Sequence, residues 1–321
     1  MKVLVTGATS LIGLHVVRAL LARGDEVTTL QRSENPGVPS VEGAITDRDA
    51  VVQACTGQDA VVHRAAKVGV TGGWSEYEHT NVLGTEVLVH TARTTGVGRF
   101  VHVSSPSVAH AGEPLVGAGP SPADPGSTRG SYATSKAIAE ISALEASSDD
   151  MPVVAIRPHL VWGPGDTQLV GRVVERARQG RLALVGSGAA LVDTTYVTNA
   201  ADALVAAVDR APDLGGRAFV VSNGEPRTVH ELFTRIAAAA GVDWTARRVP
   251  TTVAVAGGTV AEQVWERRGR TDDPPMTSFL AEQLSTAHWF DQRDTRAALG
   301  WVPAVTLDEG FRALAESFSS R

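Results

Sequence analysis

Lys2-Val3-Leu4-Val5-Thr6-Gly7-Ala8-Thr9-Ser10-Leu11-Ile12-Gly13 decides the fold. A β-branched apolar run stops at a glycine, passes through small residues and resumes with helical periodicity. In such a strand–turn–helix the backbone can approach a diphosphate at a helix N-terminus, and the glycines at 7 and 13 permit that approach. Ser10 stands where a middle glycine is usual; serine accepts the backbone with little accommodation, and its hydroxyl could meet a phosphate. Gly7, Thr9, Ser10, Leu11, Ile12 and Gly13 are therefore candidate cofactor contacts.

Outward from this turn, strands are predicted at 2–6, 26–31, 59–63, 99–104 and 152–157, with helices near 11–23, 47–55, 76–96 and 131–147. Alternating strands and helices with right-handed crossovers predict an α/β fold, a Rossmann-like doubly wound parallel sheet. Further on, a helix near 169–179, a short strand around 191–197 and a last sheet strand at 217–222 are expected, and the remainder reads as mostly helical. The predicted organisation is a dinucleotide-binding unit over 1–165, to which 190–222 returns, and a smaller, mostly helical C-terminal substrate lobe from 166–189 and 223–321. Gly112 to Gly130 is rich in Gly, Pro, Ser and Asp and reads as an irregular surface loop, either a linker or a border of the substrate site.

Composition narrows the function classes. The 321 residues are 43% hydrophobic and 20% charged with a net charge of −6, enough apolar matter for a large core and no basic stripe. Arg247-Arg248 and Arg267-Arg268 read as solvated faces, so nucleic acid is not an expected partner. The glycine turn begins so early that no signal peptide is expected, and Cys55 as the single cysteine excludes an internal disulfide; together these predict a cytoplasmic protein. Val249 to Ala261 is broken by Pro250, Gly257 and Gly258 and is too short to span a bilayer. His63, His79, His90, His102, His110, His159, His230 and His288 lack metal-ligand spacing, and no metal is expected. Gly186-Ser187-Gly188 lacks the strand-to-helix context of a hydrolase nucleophile.

The second strand ends Thr29-Leu30-Gln31-Arg32-Ser33, without the carboxylate that would bind a free ribose 2′-hydroxyl. The guanidinium of Arg32 instead suits a 2′-phosphate, so NADP(H) is preferred over NAD(H); the alternative is that Arg32 is only a surface charge. Tyr132 and Lys136 share one helix face at i and i+4, so the Lys136 ammonium can sit beside the Tyr132 phenol and favour its ionised form, making a proton donor for a carbonyl. Lysine occurs at 2, 67 and 136 only, which makes this spacing an improbable accident. Val103-Ser104-Ser105 places hydroxyls at the carboxyl edge of the sheet, where one can polarise a carbonyl oxygen.

With Thr6-Gly7 through Gly13, Val103-Ser104-Ser105, Tyr132-x-x-x-Lys136 and Arg157-Pro158 in this order, the chain resembles the extended short-chain dehydrogenase/reductase family over nearly its whole length. Ala65-Ala66-Lys67-Val68-Gly69, Thr80-Asn81-Val82-Leu83-Gly84-Thr85 and Ser104-Ser105-Pro106-Ser107-Val108 are similar to its 3β-hydroxysteroid and sterol-4-carboxylate dehydrogenase branch. Arg157 to Asp166, Val192 to Tyr196, Ser222 to Pro226 and Ala281 to Trp289 resemble the bacterial 2-alkyl-3-oxoalkanoate reductases of olefin and β-lactone biosynthesis.

The resemblance implies Tyr132 as general acid, Lys136 as its pKa-lowering and ribose-binding partner, and Ser105 as the second hydrogen bond to the substrate oxygen, with Ser104 the runner-up. It also puts Ala65, Ala66, Lys67 and Pro158 on the cofactor, and Asn81 either near the active site or in a helix-interior contact. His159 follows at a strand end facing the nicotinamide, as a substrate contact or as a packed residue behind the site. Ala44 departs from the family's adenine-binding aspartate; Asp47 would cap the next helix, leaving adenine to backbone groups and the walls near Ala65 and Ala66. The implied activity is NADPH-dependent reduction of a 2-alkyl-3-oxo acid to the 2-alkyl-3-hydroxy acid by a homodimer formed through helices 76–96 and 131–147. Alternatives are a 3β-hydroxysteroid or sterol-carboxylate dehydrogenase, an NAD-dependent nucleotide-sugar epimerase or dehydratase, and a redox sensor, which would not need Tyr132 and Lys136. Val253, Val255, Val260, Val264, Trp265, Met276, Phe279 and Leu280, with Arg267, Arg268 and Arg270, read equally as an acyl pocket with a cationic rim or as the core of a lobe.

Overall fold

In the computed structural model, which describes residues 1–33, 37–69, 72–110, 112–268, 270, 274 and 276–320, seven parallel strands make the central sheet. Their spatial order is Ala218–Val221, Val153–Pro158, Phe100–Val103, Ala60–His63, Lys2–Thr6, Glu26–Gln31 and Ser40–Glu42. The strands are valine-rich runs covered on both faces, as in Val3-Leu4-Val5 and Val61-Val62, all fully buried. Helices Leu11–Ala22 and Val197–Leu214 cover one face; Arg48–Cys55, Gly84–Thr94 and Gly130–Glu145 cover the other. The order reverses at Lys2–Thr6, which lies between Glu26–Gln31 and Ala60–His63, and a crevice opens beyond the carboxyl ends of these strands.

Three expectations are corrected. The helix expected over 76–96 is a helix at Trp74–Tyr77, a π-helical turn at Glu78–Leu83 and a helix at Gly84–Thr94. The wide turn accompanies Asn81, whose buried amide is held by partners outside its own helix. Gly112 to Gly130 is not wholly irregular: Leu115–Ala118 is a strand pairing in parallel with His288–Phe290. Its partner lies so far along the chain that no local pattern announces it. The strand expected at 191–197 is two short pieces, Leu191–Val192 and Thr195–Tyr196, followed by helix Val197–Leu214, whose β-branched start hides its periodicity.

The C-terminal lobe packs helices Val170–Arg178, Val229–Ala239 and Leu307–Ser319 around Trp162, which stacks on Phe311 at 4.6 Å. A four-stranded sheet, ordered Arg227–Thr228, Leu191–Val192, His288–Phe290 and Leu115–Ala118, links this lobe to the segment ahead of the Tyr132 helix. Leu299 and Trp301 return to the core that helices Leu11–Ala22 and Val197–Leu214 share with the sheet. Arg157 and Glu140, each 1% exposed, form a two-pronged ion pair between strand Val153–Pro158 and the Tyr132 helix, and Arg157 also donates to the Ser121 carbonyl at 2.7 Å. Removing one partner of such a pair strands a buried charge, at a cost of about 3–5 kcal/mol. Among the described residues no helix is long and apolar enough to cross a membrane.

Candidate active site

Gly7, with φ +69°, turns the chain where a Cβ would lie 2.9 Å from the Ala65 backbone nitrogen; at Gly13 a Cβ would come within 2.3 Å of the Gly7 carbonyl. Ser10 adopts ordinary extended backbone and caps helix Leu11–Ala22, accepting from Gly13 N at 3.1 Å and donating to the Gly7 carbonyl at 2.7 Å. Its hydroxyl therefore braces the turn and is not free for phosphate, a correction to the sequence reading. The Thr6 hydroxyl accepts from Arg64 N and Ala65 N at 3.1 and 3.0 Å, tying the turns after two neighbouring strands together.

A cleft of about 1040 Å³ opens over these turns. It gathers Gly7, Thr9, Ser10, Arg32, Ala65, Ala66 and Lys67, whereas Leu11, Ile12 and Gly13 form the first helical turn outside its lining. Ala44 lines the floor and Asp47 caps helix Arg48–Cys55 through Asp49 N and Ala50 N, as the sequence implies. The Lys67 ammonium is engaged by Glu76 at 2.8 Å. Gln31, which sequence reasoning does not single out, faces this cleft while both polar atoms of its buried amide lack partners. The lack of side-chain bulk at Gly7 and Gly13 and the unpaired amide at the ribose end fit a nicotinamide dinucleotide.

At the other end of the crevice, Ser105 and Tyr132 line one cavity; the Ser105 hydroxyl lies 2.9 Å from that of Ser107 and caps the short helix Pro106–Ala109. Burial raises the Tyr132 pKa; the charge of Arg64 and the Ser105 side chain oppose that rise. Arg64 is thus the cation acting on the phenol, and no motif in the sequence points to it. Lys136 does not take this role here, contrary to expectation. Its buried ammonium donates to the Val103 carbonyl at 2.8 Å and lies 3.2 Å from His102 Nε2, because the end of the neighbouring strand offers better acceptors. Burial lowers its pKa to about 7, with Glu140 opposing and Arg64 adding to the effect. Behind it His63 bridges Thr6 and Thr85, both at 2.9 Å, and burial holds it neutral with a pKa of about 3.

A second cavity, about 780 Å³, joins Ser105, Tyr132, Pro158 and His159 to Trp265, Arg270 and Phe279 of the C-terminal lobe. Pro158 lies here, outside the cofactor-cleft lining where it was expected. Ser104, the runner-up hydroxyl, lines neither cavity, and its buried Oγ has no partner. Asn81 also lies outside both: its amide holds Lys67 N at 2.7 Å, Lys67 O at 3.0 Å and Ser135 Oγ at 2.9 Å, clasping the cofactor loop to the Tyr132 helix. The 250–280 segment divides, since Trp265, Arg270 and Phe279 reach the cavity while Val253 and Val260, each 59% exposed, face solvent; Met276 packs in a small cluster and Arg267 and Arg268 are exposed. The rest of that segment includes positions outside the described residues.

Residues 3–222 match the NAD dependent epimerase/dehydratase family. Over 327 aligned positions the chain is 42% identical to a 2-alkyl-3-oxoalkanoate reductase of Stenotrophomonas maltophilia (strain K279a), covering 99% of each protein. It is 31% identical to a 3 beta-hydroxysteroid dehydrogenase/Delta 5-->4-isomerase of Mycobacterium tuberculosis, covering 96% of this chain and 88% of that one. Among solved structures, MoeE5 in complex with UDP-glucuronic acid and NAD superposes with a TM-score of 0.75 at 25% identity, covering 100% of this chain and 99% of the other. The glycine turn, the crevice and the Ser105–Tyr132 pair thus sit in a chain that belongs to the NAD dependent epimerase/dehydratase family, the extended short-chain dehydrogenases/reductases, and is an oxidoreductase using a nicotinamide dinucleotide.

Proposed function

We propose that this protein reduces the 3-oxo group of a 2-alkyl-3-oxo acid with NADPH, giving the 2-alkyl-3-hydroxy acid. One observation carries the reading: Ser105 and Tyr132 line one largely apolar cavity next to a dinucleotide-sized cleft. The full-length likeness to a 2-alkyl-3-oxoalkanoate reductase supplies the substrate class.

When bound in the cleft, the reduced nicotinamide supplies the hydride. Tyr132 donates its phenolic proton to the substrate oxygen, and Ser105 supplies a second hydrogen bond to the developing oxyanion. Arg64 lowers the free energy of the phenolate left behind, and we assign Lys136, buried at the Val103 carbonyl, to the ribose. Neutral Gln31 and cationic Arg32 at the ribose end support NADP(H) over NAD(H), since neither repels a 2′-phosphate. We assign dinucleotide binding to 1–165 with 190–222, substrate recognition to 166–189 and 223–321, and a homodimer contact to helices within 76–96 and 131–147.

The test is oxidation of NADPH and of NADH with a long-chain 2-alkyl-3-oxo acid, beside a 3-oxosteroid, by wild type and Tyr132→Phe. NADPH-dependent turnover of the oxo acid that disappears in the variant supports the reading. Turnover of the steroid alone would transfer it to the hydroxysteroid dehydrogenases, and turnover of neither would overturn it.

A further inference from the structure

His159 stands at the carboxyl end of strand Val153–Pro158, inside the substrate cavity, and is held from every side. Its N–H donates to the Val221 carbonyl at 3.0 Å and its own carbonyl accepts from Thr195 Oγ1 at 2.8 Å. The next residue, Leu160, adopts φ +40°, a left-handed backbone that a leucine takes only under constraint. The imidazole is wedged edge-on between His288 and Phe290, both 5.0 Å away. His288 in turn donates from Nε2 to the Gln283 carbonyl at 2.9 Å, and the Gln283 side-chain amide donates to His110 Nε2 at 2.9 Å. Among the described residues, the buried Nδ1 atoms of His159 and His288 have no hydrogen-bond partner. Buried polar atoms without a partner are uncommon, and here two of them belong to residues that line one cavity.

We propose that His159 and His288, backed by His110, form the subsite that receives the carboxylate of the substrate. This deepens the 3-oxo acid reading and rests on it. The charge on the wall agrees: among the described residues, the formally charged side chains lining the cavity are Arg129 and Arg270 against Glu262. Glu262 is occupied by Ser278 N and Oγ at 3.0 to 3.2 Å, so it does not compete for the imidazoles. Arg129 is paired with Glu282 beside His110, Glu113 also acts on His110, and the Asp193 backbone contacts His159. Burial lowers all three imidazole pKa values, and His288 lowers that of His159 further. An entering anion reverses this balance: the imidazole takes a proton from solvent and becomes a charged donor to the carboxylate. The subsite also fixes orientation, because an acid anchored beside Pro158 presents the neighbouring 3-position toward Tyr132.

The experiment compares a 2-alkyl-3-hydroxy acid with its methyl ester, run in the oxidising direction with NADP+, for wild type, His159→Phe, His288→Phe and the conservative His159→Gln. Dinucleotide affinity, measured on each, reports folding. Wild type is expected to show a KM at least tenfold lower for the acid than for the ester. That preference collapses toward unity in the two phenylalanine variants through KM for the acid, and is partly retained in His159→Gln. Equal use of acid and ester by wild type, or a preference that survives both phenylalanine variants, overturns the subsite and leaves the reductase reading standing. Oxidation of neither compound by a wild type that binds dinucleotide overturns both.

Discussion

The cleft over the glycine turn and the cavity beside Tyr132 share no lining residue, and they are built on opposite plans. The cleft is made of turns at the ends of adjacent strands, Gly7 to Ser10, Gln31 to Ser33 and Arg64 to Val68, each set by a few consecutive residues. The cavity wall takes Gly72, Ser105, Tyr132, His159, Trp265 and Phe290 from six separate segments that converge only after the lobe has docked. The cleft proposed for the cofactor is local backbone geometry; the cavity proposed for the substrate is tertiary packing.

Changes on the two sides should separate in their readouts. Tyr132→Phe is expected to lower kcat by about three orders of magnitude while dinucleotide affinity persists, as measured by steady-state kinetics and fluorescence titration. If affinity fell as steeply, the two regions would not be separable. Arg157→Ala strikes the joint between them, leaving Glu140 charged and unpaired in the core. Denaturant unfolding should show a loss of about 3–5 kcal/mol, and a change below ~1 kcal/mol would mean the pair does not bind helix to sheet.

A finer separation comes from Gly7→Ala and Trp265→Ala. The first places a Cβ against the Ala65 backbone at a positive φ and should weaken dinucleotide binding about tenfold or more. The second removes an aromatic cavity wall and should raise KM for a long-chain substrate about tenfold with the dinucleotide Kd little changed. Exchange of these two effects would break the distinction. A further effect is a pH slope. Burial holds the His63 pKa at about 3 against an ordinary 6.5, so the unfolded chain binds more protons between these limits, and burial pushes His102 and His159 down in the same direction. Stability should therefore be full above 6.5 and fall as pH drops toward 3, each group contributing up to about 1.4 kcal/mol per pH unit. Thermal melts of His63→Gln, flatter with pH than wild type, would trace part of that slope to the floor beneath Lys136.

The same contrast explains what could be read from sequence. The strands, the glycine turn and the Asp47 cap each depend on residues a few places apart, and each occurs where its pattern predicts. Ser10, Lys136 and Asn81 were legible as positions but not as partners, because a side chain with several acceptors in reach is settled by packing. Arg64 and Gln31 carry no motif; a charged or amide residue directly after or at the end of an apolar strand was the available signal. Strand Leu115–Ala118 lay hidden among turn formers because its stabilising partner is His288–Phe290.

That pairing also has a consequence in time. On a ribosome adding about 5–20 residues per second, everything that lines the cofactor cleft has been made by Thr80, roughly 10 to 40 seconds before Phe290 appears. Throughout this interval Leu115–Ala118 is a strand without its partner, open to pairing with another nascent chain. Pro114 and Pro120, on either side, keep the exposed edge too short to template such a contact. The prolines that disguise this strand in the sequence are thus what lets it wait safely for the rest of the molecule.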